Sequence, residues 1–283
     1  MTIVLVLMGF FLVLFLLEAL FPLRHRTRAL LHRLLINLCV AVLAFAVAAT
    51  IVRPVGLSLA GWASTRSFGL LHIVALPAAV QFGLAFLLMD LTFYYWHLAN
   101  HRIPALWRFH HVHHIDPDLD VSTALRFHLG ELLLSAGFRV LQVGLIGLSP
   151  LTYMIYEGVF QGSTLFHHSN VHLPLRAERL LNLVLVTPRM HGIHHSVVED
   201  EANSNYSTVF SWWDRLHRSV RLNIPQSALV IGIPAYHEPV DNTLWHVLAL
   251  PFGTQRAYWC WPDGSRPTRD TTTTPMRRTG MMA

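Results

Sequence analysis

The sequence contains little charge. Only 13% of its 283 residues are Asp, Glu, Lys or Arg, whereas 53% are hydrophobic. A soluble domain usually carries about 25% charged residues, so a water-exposed surface of ordinary composition is excluded. The mean hydropathy is +0.43. The composition therefore predicts a protein embedded in a lipid bilayer, and the length suits one membrane domain with extensions outside it.

Cysteine and the common cofactor motifs are also scarce. Two cysteines, Cys39 and Cys260, provide neither a disulfide framework nor zinc-finger spacing. The chain has no Gly-x-Gly-x-x-Gly motif for a flavin or nicotinamide and no Cys-x-x-Cys-His motif for haem. Any redox reaction therefore needs electrons from a separate protein. The formal net charge is +5, but the basic residues lie beside apolar runs, which favours an anionic lipid surface over nucleic acid as partner.

Long apolar stretches are abundant. A helix needs about 20 residues to span the hydrocarbon. Four stretches approach or exceed this length: 3–21, 34–52, 70–96 and 129–166. We expect Pro77 to separate an interfacial lead-in from the third span, and Gly147 and Pro150 to divide the fourth into a helical hairpin or a re-entrant pair. The first stretch is expected to be an anchor, because it lacks the basic start and cleavage site of a signal peptide.

The orientation follows from the basic residues between the first two stretches. Arg24, Arg26, Arg28 and Arg33 place this short loop in the cytoplasm. Alternation of the following segments then brings every histidine cluster to the same, cytoplasmic face. The predicted fold is an all-α integral membrane helical bundle with a cytosolic histidine-rich helical cap, and we expect it in the inner membrane of a bacterium.

Histidine is the residue in excess, with 19 copies. The motif His-x-x-His-His occurs twice, in 110–114 and in 191–195. Positions i, i+3 and i+4 share one face of a helix, so each motif directs three imidazoles to one side. Thr187-Pro188 supplies a start signal for the second helix. His111 lies off the shared face and is not expected to be a ligand.

Two histidine pairs and three possible supporting residues accompany these motifs. His97 and His101 end the third apolar stretch at i, i+4 spacing, and His168 and His172 have the same spacing after the fourth. Ten positions thus have ligand spacing, which suits two metal ions: His97, His101, His110, His113, His114, His168, His172, His191, His194 and His195. Asp90 shares a helix stripe with His97, and an intramembrane carboxylate is functional by default; it is expected to accept the ring N–H of a ligand. His128 and Asn170 are further candidates for supporting roles.

The histidine ligands alone do not determine which metal binds, because neutral imidazole binds iron, zinc, copper and nickel. A zinc-dependent membrane hydrolase is one alternative. It needs a general base, as in His-Glu-x-x-His, and neither His-x-x-His-His motif holds a glutamate between its histidines. A membrane metal transporter or metal-binding protein is another alternative. It would place histidines along a path within the spans, whereas here they cluster at the predicted helix ends.

Together these motifs resemble the fatty acid hydroxylase/sterol desaturase superfamily of membrane oxidases. The resemblance covers residues 80–218. It rests on DLTFYYWH at 90–97 with His101, WRFHHVHH at 107–114, FHHSN at 166–170, TPRMHGIHH at 187–195, and NY at 205–206 leading to WDRL at 213–216. Two positions depart from the family pattern: His172, where arginine is common, and Ser207, where glycine is common.

The resemblance implies a di-iron centre on the cytosolic membrane face. Such a centre uses O2 and electrons from a donor protein, ferredoxin or cytochrome b5-like, to hydroxylate or desaturate a lipid such as a fatty acyl chain or sterol. Oxidation of an unactivated C–H bond needs a redox metal, which favours iron over zinc. The implied organisation is N-terminal membrane helices in 1–79, a catalytic domain in 80–218, and a C-terminal extension in 219–283 whose end, 266–283, is expected to be disordered.

Overall fold

A computed structural model describes residues 2–269, which contain helices and isolated backbone bridges but no β-strand. The predicted all-α class is confirmed. The α-helices of this part of the chain are α1 (Thr2–Leu20), α2 (Leu30–Val47), α3 (Arg53–Thr65), α4 (Ala78–Arg102), α5 (Pro104–His114), α6 (Leu129–Ile146), α7 (Pro150–His168), α8 (Leu175–Leu181), α9 (Pro188–His194), α10 (Glu199–Ala202), α11 (Trp212–Leu216) and α12 (Leu244–Ala249).

Four helical stretches of the described residues are long and apolar enough to cross a membrane: Ile3–Leu20, Leu30–His72, Ala78–Arg102 and Leu129–Ile146. Their outward leucines, such as Leu5, Leu16 and Leu38, are more than half exposed. Large apolar side chains exposed along whole helices indicate contact with lipid. The chain is therefore an integral membrane protein, as the composition predicts.

The second stretch is longer than predicted. A π-helical turn at Ala48–Val52 joins α2 to α3, so the helical path continues to Thr65 and does not end at Val52. The reason is Pro54, whose ring would clash with the carbonyl four residues earlier in a regular α-helix. The wider π turn accommodates the proline without ending the helix. By contrast, Pro77 does precede the start of α4, as predicted.

The fourth stretch forms two helices, α6 and α7, joined by the short turn 147–149. Gly147 ends α6 in the left-handed conformation with φ 81°, and a Cβ at this position would overlap the carbonyl oxygen of Phe68. Ser149 begins α7 by accepting a hydrogen bond from the amide of Thr152. The structure has the two helices joined by a turn that both predicted arrangements, the hairpin and the re-entrant pair, require.

The C-terminal extension packs on the site-bearing half of the molecule. Ile233, Tyr236 and Val247 share a core with Trp107 and Val112 of α5. The expectation of disorder over 266–283 is wrong for its first residues, since Arg269 binds both carboxylate oxygens of Glu201, at 2.9 and 2.7 Å. The rest of that range, 270–283, lies outside the described residues.

Candidate metal centre

Histidines from the ends of four helices meet in one buried site. Within residues 2–269 their nitrogens form two groups, in each of which the candidate ligand atoms lie within 4.8 Å of one another. The first group contains five imidazoles and the second four: His97, His101, His110, His114 and His194; then His113, His168, His191 and His195. Nine of the ten predicted positions are thus brought together. The groups adjoin, because the rings of His114 and His195 stack with centroids 4.3 Å apart.

Two rings of the first group are oriented by hydrogen bonds that their Nδ1 atoms donate to backbone carbonyls. Nδ1 of His97 lies 2.7 Å from the carbonyl oxygen of Tyr206, and Nδ1 of His194 lies 2.7 Å from that of Ser204. A carbonyl only accepts, so both rings carry their proton on Nδ1 and direct the lone pair of Nε2 into the group. This is how proteins fix the tautomer of a metal-binding histidine.

In the second group the imidazole nitrogens approach one another directly. Nε2 of His168 lies 2.9 Å from Nε2 of His113 and 3.0 Å from Nε2 of His191, which in turn is 3.1 Å from Nε2 of His195. Nδ1 of His168 donates to the carbonyl of Thr164 at 2.8 Å, so its Nε2 carries only a lone pair. One proton cannot satisfy all of these close contacts, but one shared cation can.

The donor set fits two transition-metal ions. Metal–imidazole bonds are about 2.1 Å long, so two nitrogens at right angles around one ion lie about 3.0 Å apart, as in the second group. In the first group, Nε2 of His110, His114 and His194 is buried without a hydrogen-bond partner in the described part of the chain. Buried polar atoms are normally paired, and these three nitrogens all face a position that a metal would fill.

Burial favours the neutral form of the histidines that lie outside the membrane spans, at His113, His114, His191, His194 and His195, and the neutral form is the one that binds a metal. The side chains of His113 and His114 are almost fully buried, and this desolvation lowers their pKa well below the usual value of 6.5. The same cause, reinforced by the neighbouring imidazoles, lowers the pKa of His191, His194 and His195. His111 is also buried, but its Nδ1 binds the carbonyl of Trp107 at 2.9 Å, outside both groups.

The tenth predicted position, His172, is exposed and lies outside both groups. The helical spacing assumed for His168 and His172 does not occur, because α7 ends at His168. The following segment is extended, and the amide of His172 donates to the carbonyl of Phe21 at 2.8 Å. This segment is tied to the chain after α1, where Pro22 forms a bridge with Val171.

The three predicted supporting residues do not contact the ligand rings through hydrogen bonds. Asp90 accepts from the amides of Val209 and Phe210, at 3.3 and 3.0 Å, and from the indole of Trp213 at 2.7 Å. It therefore fixes the loop that carries Tyr206 and not a histidine. His128 begins α6, since its Nδ1 accepts from the amide of Gly130. Asn170 pairs its amide with both backbone groups of Arg24.

Two residues that the sequence reasoning missed do contact the site. Oε1 of Glu131, on α6, lies 2.8 Å from Nδ1 of His110. Glu131 is an acidic residue in an apolar stretch, and the rule that singled out Asp90 applies to it equally. His167 is buried, its ring lies 4.1 Å from that of His191, and its Nδ1 is 3.1 Å from the carbonyl of Thr208. Its only sequence signal was adjacency to His168.

The carbonyls of Ser204 and Tyr206 are presented by a loop that Asn205 holds in place. Asn205 has a positive φ of 56°, a conformation that asparagine tolerates better than most residues. Its side chain donates to the carbonyls of Met190 and Arg221, at 2.9 and 2.8 Å. The Asn-Tyr motif of the sequence therefore supports the ligands through the backbone.

Behind α5 lies a buried ionic network. Arg33 contacts Asp116 at 2.7 Å and Asp120 at 2.6 Å, and Arg126 donates to the carbonyl of Val112 at 3.0 Å. Burial alone would raise the pKa of Asp116, but the two guanidinium groups lower it to about 2. The network connects the start of α2 to the end of α5 and so fixes the first histidine motif.

Comparison with known proteins identifies the family to which the histidine-bearing half of the chain is similar. The family model described as fatty acid hydroxylase matches residues 82–219. Those residues are a fatty acid hydroxylase domain. The resemblance found in the motifs is thereby confirmed, and all nine clustered histidines lie within the domain. None of the solved structures matches the chain.

Several curated relatives match part of the chain. The chain is 33% identical over 141 residues to an ornithine lipid hydroxylase from Rhizobium tropici, covering 50% of this chain and 41% of the relative. It is 29% identical over 138 residues to cholesterol 25-hydroxylase from Homo sapiens, covering 48% and 49%. It is 31% identical over 197 residues to alkylglycerol monooxygenase from Danio rerio, covering 66% and 41%. The chain thus spans about two fifths to half of the length of these relatives.

Proposed function

We propose that this protein is an O2-dependent membrane oxidoreductase that hydroxylates or desaturates a lipid at a centre of two iron ions. Residues 80–218 form its catalytic domain in this proposal. The observation that carries it is the pair of adjoining groups of histidines, eight of the nine buried. The relatives support the substrate class, since those named above are hydroxylases and a monooxygenase of lipids and sterols.

The nine grouped histidines are the proposed iron ligands. Two bound irons would supply the oxidising power that side chains lack, drawing on O2 and on electrons from outside. The chain's own groups hold the ligands in place: Glu131 and the carbonyls of Ser204 and Tyr206 fix the tautomer and direction of His110, His194 and His97. Tyr206 is itself almost fully buried beside the first group, so it helps to exclude water from the reacting position.

The lipid would reach this site from the bilayer. His97 and His101 end the membrane-spanning α4, and His168 ends α7, so the ligands would lie where α4 leaves the hydrocarbon. An apolar chain can therefore extend from the membrane to the site without crossing water. We further propose that the site faces the cytoplasm of a bacterium, where a ferredoxin or a cytochrome b5-like protein supplies the electrons.

Metal analysis combined with lipid analysis tests the proposal. The purified, iron-supplemented protein should contain about two irons per chain, and cells that express it should accumulate lipids heavier by about 16 mass units or lighter by about 2. His194→Ala should lose both iron and product, whereas His25→Ala, at an exposed histidine outside the groups, should keep them. Absence of iron after supplementation, or turnover without O2 and reductant, would instead indicate a zinc-dependent hydrolase.

A further inference from the structure

Two short segments of the chain expose both leucines and arginines. One comprises residues 175–185 and contains α8, and the other comprises residues 210–218 and contains α11. We call them the rim segments. Neither supplies a ligand to the candidate metal centre. Their surface is therefore not explained by the proposed chemistry.

The rim segments pair with each other through their backbones. Leu185 forms an antiparallel bridge with Phe210, and the amide of Ser211 donates to the carbonyl of Val184 at 3.0 Å. The indole of Trp212 donates to the carbonyl of Leu183 at 2.9 Å. In an apolar environment, the backbone N–H and C=O groups of irregular segments must find hydrogen-bond partners within the protein, as these do.

The contacts with α4 indicate where the second rim segment lies relative to the bilayer. Asp90 of α4 accepts hydrogen bonds from Phe210 and Trp213, and the ring of Phe86 lies 5.9 Å from that of Phe210. Asp90 precedes His97 by seven residues, or about 10 Å along a helix axis. The second rim segment therefore lies beside a membrane-spanning helix, on the bilayer side of the metal centre.

The outward side chains are of two kinds. Leu180, Leu183 and Leu216 are 69%, 58% and 66% exposed, far more than leucines in contact with a protein core. The exposed charged residues are all cationic: Arg176, Arg179, Arg215 and Arg218. Of these, Arg215 donates back to Asn182 of the first rim segment, at 3.0 and 2.9 Å. The two acidic residues of these segments are buried; Glu178 pairs with Arg189 at 2.6 Å, and Asp214 accepts from the amides of Tyr206 and Ser207.

We propose that the rim segments lie in the interface of the leaflet on the metal-centre side, on a bilayer that contains anionic phospholipids. The leucines and Trp212 enter the acyl region, and Arg176 and Arg179 bind the phosphate groups. Trp at the interface and arginines next to an apolar face are the expected pattern for such an element. Continuity with α4 favours lipid over an acidic electron-donor protein as occupant. The proposal rests on the membrane spans and does not depend on the iron chemistry.

A fluorescent probe of lipid contact tests the insertion. Leu180→Cys, in a chain with Cys39→Ser and Cys260→Ser, carries an environment-sensitive dye, and the full-length protein is placed in lipid nanodiscs. Lipids brominated on the acyl chain should quench this dye strongly. A dye at Asp263→Cys, in an exposed turn of the C-terminal extension, should not be quenched by them. Equal, weak quenching at both positions would overturn the proposal and leave the rim segments free for a protein partner.

Lipid preference tests the arginines. Brominated phosphatidylglycerol should quench the Leu180→Cys dye better than brominated phosphatidylcholine, with a preference of about fivefold for each arginine near the headgroups. The double variant Arg176→Gln/Arg179→Gln should lose most of this preference. Arg266→Gln, at an exposed arginine outside the rim segments, should retain it. The same preference in all three proteins, or none in any, would overturn the assignment of the arginines to phosphate.

Discussion

Nδ1 of His110 lies 2.8 Å from the carboxylate of Glu131, and both side chains are buried. The two residues come from different helices, α5 and α6, so their contact depends on the tertiary fold. A carboxylate in this position fixes the ring and raises the basicity of the opposite nitrogen, Nε2. Nε2 of His110 has no other partner in the described residues and belongs to the first histidine group.

Glu131→Ala should therefore weaken iron binding by about 10- to 100-fold, since supporting groups of metal ligands have effects of this size. Glu131→Gln keeps an oxygen acceptor for the ring N–H and should lose less. The measurement is iron retained per chain during titration with a chelator. Identical iron retention in the wild type and in Glu131→Ala would show that His110 needs no such support.

Replacement of His168 should change the iron content, whereas replacement of His172 should not. His168→Ala removes a member of the second group and should lower the iron content from about two per chain toward one. His172→Ala changes an exposed side chain and should leave the content unchanged. Element analysis of the two purified variants decides this; loss of iron in His172→Ala would restore the role that the sequence suggested.

Asp90 should contribute to folding and not to metal binding. Its carboxylate accepts three hydrogen bonds, from the amides of Val209 and Phe210 and from the indole of Trp213. Asp90→Ala leaves these donors unpaired, at a cost of about 1–3 kcal/mol for a buried group. The variant should therefore unfold at a lower temperature, and Asp90→Asn should be affected less. The fraction that stays folded should still bind its full complement of iron.

The ion pair of Glu201 with Arg269 should make stability depend on pH. Burial raises the pKa of Glu201, but hydrogen bonds from Arg269 and Ser196 outweigh it, so the pKa in the folded protein lies below the usual 4.5. The carboxylate therefore stabilises the fold fully above about pH 4.5, and this contribution is lost as the pH falls through the lowered pKa. Melting temperatures of the wild type and Glu201→Gln should differ at neutral pH and converge in acid. A difference that is constant with pH would contradict this.

Much of the candidate site was predictable from local spacing. The i, i+3, i+4 rule placed the imidazoles of α5 and α9 correctly, because helix geometry determines which side chains share a face. The same rule misled at His172, since it assumed a helix where α7 has already ended. The second apolar stretch gives a different case: it was predicted to end at Val52, whereas the helical path continues through a π turn and past Pro54.

The supporting groups were not predictable in the same way. Carbonyls such as those of Ser204 and Tyr206 belong to the backbone, so no residue type marks them in a sequence. Asp90 was predicted to accept a hydrogen bond from a histidine because it shares one face of α4 with His97. The spacing along α4 does not show that the loop containing Val209 and Phe210 packs on Asp90 and takes up its carboxylate. The carboxylate that does meet a ligand, Glu131, comes from another helix.

Turnover under 18O2 is the most direct test of the proposed lipid oxidation. The iron-loaded protein, with ferredoxin and its reductase as electron source, is supplied with bilayer lipids, and the products are weighed by mass spectrometry. Product is expected only when O2 and reductant are present, heavier by about 18 mass units if the lipid is hydroxylated or lighter by about 2 if it is desaturated. Product formed without O2, or hydroxyl oxygen derived from water, would contradict it.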